Sequence, residues 1–166
     1  GTSPADGGST VPPDAGTSPI DGGAAQDAGE APVCTSGVMW NGGPMGPRMN
    51  PGRACISCHM NFAGEPIVQV GGTVYPTLKE VDRCYGVGGV TVVIEDANGQ
   101  VFTLTTTDTG NFSVRATEAP IAFPAKVKVV HGGAERAMNM LAPHGDCNSC
   151  HTAAGKNGAP GRILLP

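Results

Sequence analysis

Six cysteines, at positions 34, 55, 58, 84, 147 and 150, carry the most specific chemistry in this 166-residue chain. Four of them form two copies of one constellation, Cys55-Ile-Ser-Cys58-His59 and Cys147-Asn-Ser-Cys150-His151. Cys-x-x-Cys-His is the spacing by which a c-type haem is attached. Thiols one helical turn apart reach the two vinyl groups on one edge of the porphyrin, and the histidine that follows presents its imidazole to the iron. Two such motifs predict two covalent haems. Cys55, Cys58, Cys147 and Cys150 are then the thioether links, and His59 and His151 the proximal iron ligands. Competing readings explain less. A four-cysteine zinc site has no use for a histidine after each pair. A thioredoxin-type dithiol expects one motif in a βαβ setting, and a six-cysteine disulfide framework does not place histidine behind both pairs.

Haem attachment of this kind takes place outside the bacterial cytoplasm, where disulfides also persist. The two remaining cysteines, Cys34 and Cys84, are therefore expected to pair, tying the segment before the first motif to the region between the motifs. The sixth ligand of each iron decides what a haem does. The spare histidines His131 and His144 would give bis-histidine coordination, but both lie in the second half of the chain. Each motif has its own upstream methionines, so Met49 and Met138 are the first choices, with Met140, His131 and His144 as alternatives. Methionine also fills core gaps without binding metal.

The segments around the motifs keep their features in the same order: Gly-Gly at 42–43 and 132–133, an Arg, a Met, a Pro four residues before the first cysteine, the motif, then Gly64 or Gly155. They read as two loop-rich copies spanning 34–65 and 132–166. Between them, 66–131 is rich in Val, Thr and Ile. Strands are expected at 68–75, 90–95, 101–107, 112–116 and 125–130, with Asn98-Gly99 as a hairpin signal. The fold class expected is mainly β, an antiparallel sandwich inserted between two haem-binding segments. With 26 Gly, 15 Pro and only 7 aromatic residues, a helical bundle, a coiled coil and a membrane-spanning helix are excluded. The porphyrins would supply apolar bulk that the side chains lack.

Residues 1–33 differ again. They hold five acidic residues, no Lys or Arg and no aromatic, and repeat a loose Pro/Asp/Ala/Gly unit. Too few apolar groups are present to offset the entropy of ordering, so a disordered linker is expected. Its acids are too far apart for an EF-hand-like calcium loop. The net charge of −4 belongs to this tail, since nine acids face ten basic residues in the rest. A near-neutral body argues against nucleic acid as a partner. The tail resembles the linkers of bacterial surface lipoproteins, which implies a processed N-terminus and a lipid anchor.

Gly72-Thr-Val-Tyr75, Gly89-Val-Thr-Val-Val-Ile-Glu-Asp96-Ala-Asn-Gly99 and Thr107-Asp-Thr-Gly-Asn-Phe112 resemble the carboxypeptidase regulatory-like domain. That likeness implies a non-catalytic, transthyretin-like β-sandwich with no peptidase chemistry. The whole chain resembles small extracytoplasmic dihaem c-type cytochromes in which such a sandwich separates the haem sites. The implied function is single-electron transfer between redox partner proteins or extracellular acceptors, in the periplasm, on the outer-membrane surface or outside a bacterium. Two other readings stand beside it. A subunit of a self-assembling filament would use exposed strand edges, whereas a dihaem peroxidase or gas sensor would need an open iron position, for which no constellation is evident.

Overall fold

A computed structural model describes residues 1, 33–42, 46–61, 64 and 66–166. The expected linker, apart from Gly1 and Val33, lies outside the described residues. The described body is mainly β, with two sheets and almost no helix. Its elements are α1 (Cys55–His59), β1 (Val68–Tyr75), β2 (Thr91–Glu95), β3 (Val101–Thr105), β4 (Asn111–Arg115), β5 (Lys126–His131), β6 (Ala134–Ala137), a 3₁₀ turn (Cys147–Ser149) and β7 (Ile163–Leu164). No helix among the described residues is long and apolar enough to cross a membrane.

All five expected strands form, within one or two residues of their expected ends; β2 and β3 alternate in burial, whereas β1 is buried along most of its length. In β2 the pattern is strict: Val92 and Ile94 are buried, while Thr91, Val93 and Glu95 are half-exposed. One sheet has the order β3-β2-β5-β6 and is antiparallel throughout. The other has the order β4-β1-β7. Val70, Val74, Phe112 and Val114 of β1 and β4 join Val92, Ile94 and Val129 of β2 and β5 in one buried apolar cluster.

Two strands depart from the sequence reading. Gly132 and Gly133, read there as the start of the second haem segment, form a hairpin turn with both φ values positive, at 59° and 84°. That turn geometry matches strand twist and folds β6 back onto β5. The β region therefore runs on to Ala137, although Ala-Glu-Arg-Ala has little strand propensity and is exposed throughout. At the C-terminal end, β7 pairs with β1 in parallel through Val74–Ile163 and Tyr75–Leu164, so the second sheet is mixed.

The β2–β3 hairpin turns at Asp96–Gly99, with Gly99 at φ 78° and the Gly99 N–H donating to the Asp96 carbonyl. The Asp96 side chain organises it. Oδ1 accepts from the N–H groups of Asn98 and Gln100 at 2.9 and 2.8 Å, and Oδ2 from Ala122 at 3.2 Å. Burial works against the charged form, yet the N–H donors of Gln100, Ala122 and Asn98 prevail and hold this carboxyl below its ordinary value. A lowered folded-state pKa favours the native state above the unfolded-state value, and that advantage is lost as pH falls through the folded one. Thermal midpoints followed downward from about pH 5 are expected to fall less steeply in Asp96→Asn than in the wild type; parallel curves would show that Asp96 contributes nothing.

The expected Cys34–Cys84 disulfide is present, with the Cα atoms 5.5 Å apart. Cys34 and Cys84 also cluster with buried Glu80. The sulfurs are spent in the disulfide, and the Glu80 carboxylate accepts from Thr35 N–H and Thr77 Oγ at 3.0 Å each, so the cluster is structural.

Candidate functional site

A helix of five residues has no stability of its own, and neither does a single 3₁₀ turn, so each motif depends on what it leans against. Both lean on β1. A Cβ added to Gly71 would sit 2.8 Å from Cys55 Cβ and 2.9 Å from its Sγ, and one on Gly72 would sit 3.0 Å from Cys147 Cβ and 2.6 Å from Phe112. Adjacent glycines thus admit the first cysteine of each motif against the strand backbone. The second motif also borders the β1 edge, with Gly71 N–H donating to the Gly145 carbonyl at 2.9 Å and a bridge between Gly71 and Asp146. Gly145 is obligatory, since a Cβ there would run into the Gln69 carbonyl.

Far apart in sequence, the motifs are neighbours in space, cross-linked by side chains the sequence reading passed over. Asp146 Oδ2 accepts from Ser57 N–H at 2.9 Å and from Ser57 Oγ at 2.8 Å. Buried Asn148 accepts from Thr73 N–H at 3.1 Å and donates to the Arg53 carbonyl and Thr73 Oγ, both at 3.0 Å. Thr73 Oγ donates to Asn111 Oδ1 at 2.7 Å, and Asn111 Nδ2 donates to the Met49 carbonyl at 2.8 Å. One polar chain therefore runs from the second motif, through β1 and β4, to the Met49 loop. The glycine pair inside an expected strand was the available sequence signal for close backbone approach; nothing marked Asp146 or Asn148.

Within α1, Cys58 N–H donates to the Ala54 carbonyl at 3.2 Å, which sets Cys55 and Cys58 one turn apart. In the second motif Cys150 and His151 N–H both donate to the Cys147 carbonyl, at 3.2 and 2.9 Å. The motifs share a further feature. His59 Nδ1 lies 3.1 Å from the Pro66 carbonyl, and His151 Nδ1 lies 3.0 Å from the Gly161 carbonyl. A carbonyl only accepts, so Nδ1 carries the proton and Nε2 keeps its lone pair free. Burial lowers the His151 pKa, against the opposing pull of the Gly161 carbonyl, and so favours a neutral imidazole.

All four motif thiols are free. Burial first, then the Asp146 charge, pushes Cys55 up to about 12. Burial, followed by Cys55 and Asp146, does the same for Cys147, also to about 12. Two thiols one turn apart, beside an imidazole with a free Nε2, form the donor set that suits a c-type haem.

A cavity of about 430 Å³ opens beside the first motif and is lined by Met49, Cys55, His59, Val68, Phe112 and Arg115, among others. Met49, Cys55 and His59 thus share one cavity. The second-motif candidates are more scattered. Met138 follows the end of β6, its N–H donating to the Val127 carbonyl. The Met140 methyl approaches the loop after His151, where a Cβ on Gly158 would lie 3.9 Å from it, and Asn157 in that loop contacts Cys150 Sγ at 3.5 Å. His131 is exposed at the end of β5. His144 is exposed, its Nδ1 accepting from Asp146 N–H at 3.3 Å. Met138 and Met49 thus occupy unlike settings, an edge-strand end and a loop, so the upstream halves of the two segments are not structural copies. The motifs are alike, as are the glycines after them: Gly64 and Gly155 have φ of 88° and 71°. The chain matches no protein-family model, no curated protein sequence and no solved structure.

Proposed function

We propose that this chain is a dihaem c-type cytochrome, an extracytoplasmic carrier of single electrons rather than an enzyme. The observation that carries the reading is the repeated imidazole arrangement. In each motif the histidine is oriented by a backbone carbonyl, at Pro66 or Gly161, and keeps Nε2 for a metal beside two free thiols. Haem bound there supplies an iron that gains and loses one electron.

The chain's own residues do the rest. Cys55 and Cys58 hold the first cofactor, Cys147 and Cys150 the second. The Pro66 and Gly161 carbonyls fix the imidazole tautomers and raise the basicity of Nε2. Met49 is the distal ligand proposed at the first centre, since it shares the cavity with Cys55 and His59. At the second centre Met140 stands beside Met138, because its methyl approaches the loop that touches Cys150. The β region serves as a sandwich scaffold of the carboxypeptidase regulatory-like kind, holding two attachment points on one strand. Its disulfide fits an oxidising compartment, with redox proteins or extracellular acceptors as partners.

The test is haem content after export through a c-type maturation system. Two alkali-stable haems per chain are expected by pyridine haemochrome absorbance and intact mass, with a sulfur-to-iron charge-transfer band in the oxidised near-infrared spectrum. No covalent haem would end the proposal, and a missing band would remove the methionine ligands alone.

A further inference from the structure

Asp146 is the one buried side chain among the described residues with an unpartnered polar atom. The residue is 6 % exposed, and Oδ1 has no hydrogen-bond partner. Its other oxygen holds Ser57 of the first motif, and its own backbone leads directly into Cys147 of the second. The described ion pairs join other residues, among them Arg48–Asp108, Lys126–Glu95 and Arg162–Asp82; none includes Asp146. Its hydrogen-bond partners are the Ser57 hydroxyl and N–H at Oδ2, His144 Nδ1, which accepts the Asp146 N–H, and the Ser149 hydroxyl and N–H, which both donate to the Asp146 carbonyl. A carboxylate taken out of water without a cation is costly unless positive charge is supplied close by. Its field reaches both motifs, since it raises the thiol pKa of Cys55 and of Cys147 alike.

We propose that Asp146 is a shared potential-setting residue whose fixed negative charge favours the oxidised state of both haem centres and so lowers both reduction potentials. The inference rests on the dihaem reading and adds to it a positioning residue that serves two centres at once. Each reduction adds one electron at an iron, delivered by the titrant, and removes one unit of positive charge from beside this carboxylate; no bond breaks and no proton is transferred. Ser57 moderates the effect, because its two hydrogen bonds draw charge from Oδ2.

Spectropotentiometric titration of the dihaem protein with dithionite and ferricyanide, in the presence of mediators, tests this. In Asp146→Asn, which keeps the shape and removes the charge, both midpoint potentials are expected to rise. Ser57→Ala keeps the charge and strips one donor from it, and both potentials are expected to fall. A rise confined to one centre in Asp146→Asn, or no change at either, overturns the proposal; so does an unchanged or upward shift in Ser57→Ala. If Asp146→Asn does not take up two haems, Ser57→Ala alone decides. Haem counting on the same wild-type sample separates the two failures. Fewer than two haems defeats the functional reading, whereas two haems with unmoved potentials defeats only the role of Asp146.

Discussion

Arg162→Met is expected to cost about 3–5 kcal/mol of stability and to lower the thermal midpoint by roughly 10 °C. The guanidinium is almost fully buried, at 2 % exposure, and its donors are spread over segments distant in sequence. Nε donates to the Glu80 carbonyl at 2.8 Å, Nη1 to the Gly52 carbonyl at 2.9 Å and the His151 carbonyl at 3.3 Å, and Nη2 to Asp82. It also stacks 5.2 Å from the centre of the Tyr75 ring. One side chain thereby holds the approach to the first motif, the histidine of the second and the loop after β1. Methionine of similar length fills the space but leaves the carbonyls without donors, each at about 1–3 kcal/mol if buried. The exposed Asp82 carboxylate returns to water at little cost. Lysine should not rescue, because a compact ammonium cannot reproduce the planar fork that reaches several carbonyls at once. Urea unfolding checks this, and a loss below about 1 kcal/mol would reduce Arg162 to a surface-type ion pair.

Nothing in the sequence marks Arg162, since its role exists only once Gly52, Glu80 and His151 meet. What could be read in advance was local or compositional. Val, Thr and Ile in Val90–Glu95, and Phe102 and Leu104 alternating with exposed Val101, Thr103 and Thr105, encode half-buried strands directly. The two motifs are visible because their chemistry demands contiguous residues, and the disulfide followed from which cysteines those motifs left over. By contrast, β6 is built from Ala-Glu-Arg-Ala and exists because the Gly132-Gly133 turn folds it onto β5. Two-residue β7 forms only because Val74 and Tyr75 offer it an open edge. The adjacency of the motifs is a tertiary fact of the same kind. It depends on Gly71 and Gly72 leaving room on one strand and on Asp146 and Asn148 reaching across, none of which a pairwise spacing rule contains. The order of features in the two segments could not show this either, since Met138 matches Met49 in order but not in setting.

If the chain carries two haems as proposed, serine replacement of both thiols in one motif is expected to remove one haem and leave the other. Cys55→Ser with Cys58→Ser should halve the haemochrome absorbance, and Cys147→Ser with Cys150→Ser should do the same, each lowering the intact mass by one porphyrin. Serine is smaller than cysteine and fits beside Gly71 or Gly72 without new contacts, so the loss reads the missing thioethers rather than a clash. The two variants should nevertheless differ in stability. The second motif contributes buried Asn148 and the β1-edge bond from Gly71 to Gly145, contacts that survive the substitution and keep that segment docked without its porphyrin. No residue of α1 is fully buried, and the first motif borders the large cavity. Removing its haem should therefore loosen 46–61 more than removing the second haem loosens 144–151. Hydrogen exchange resolved by segment distinguishes the outcomes. Equal loosening would mean that the cavity needs no cofactor to hold its walls, and retention of two haems in either variant would refute attachment through these cysteines.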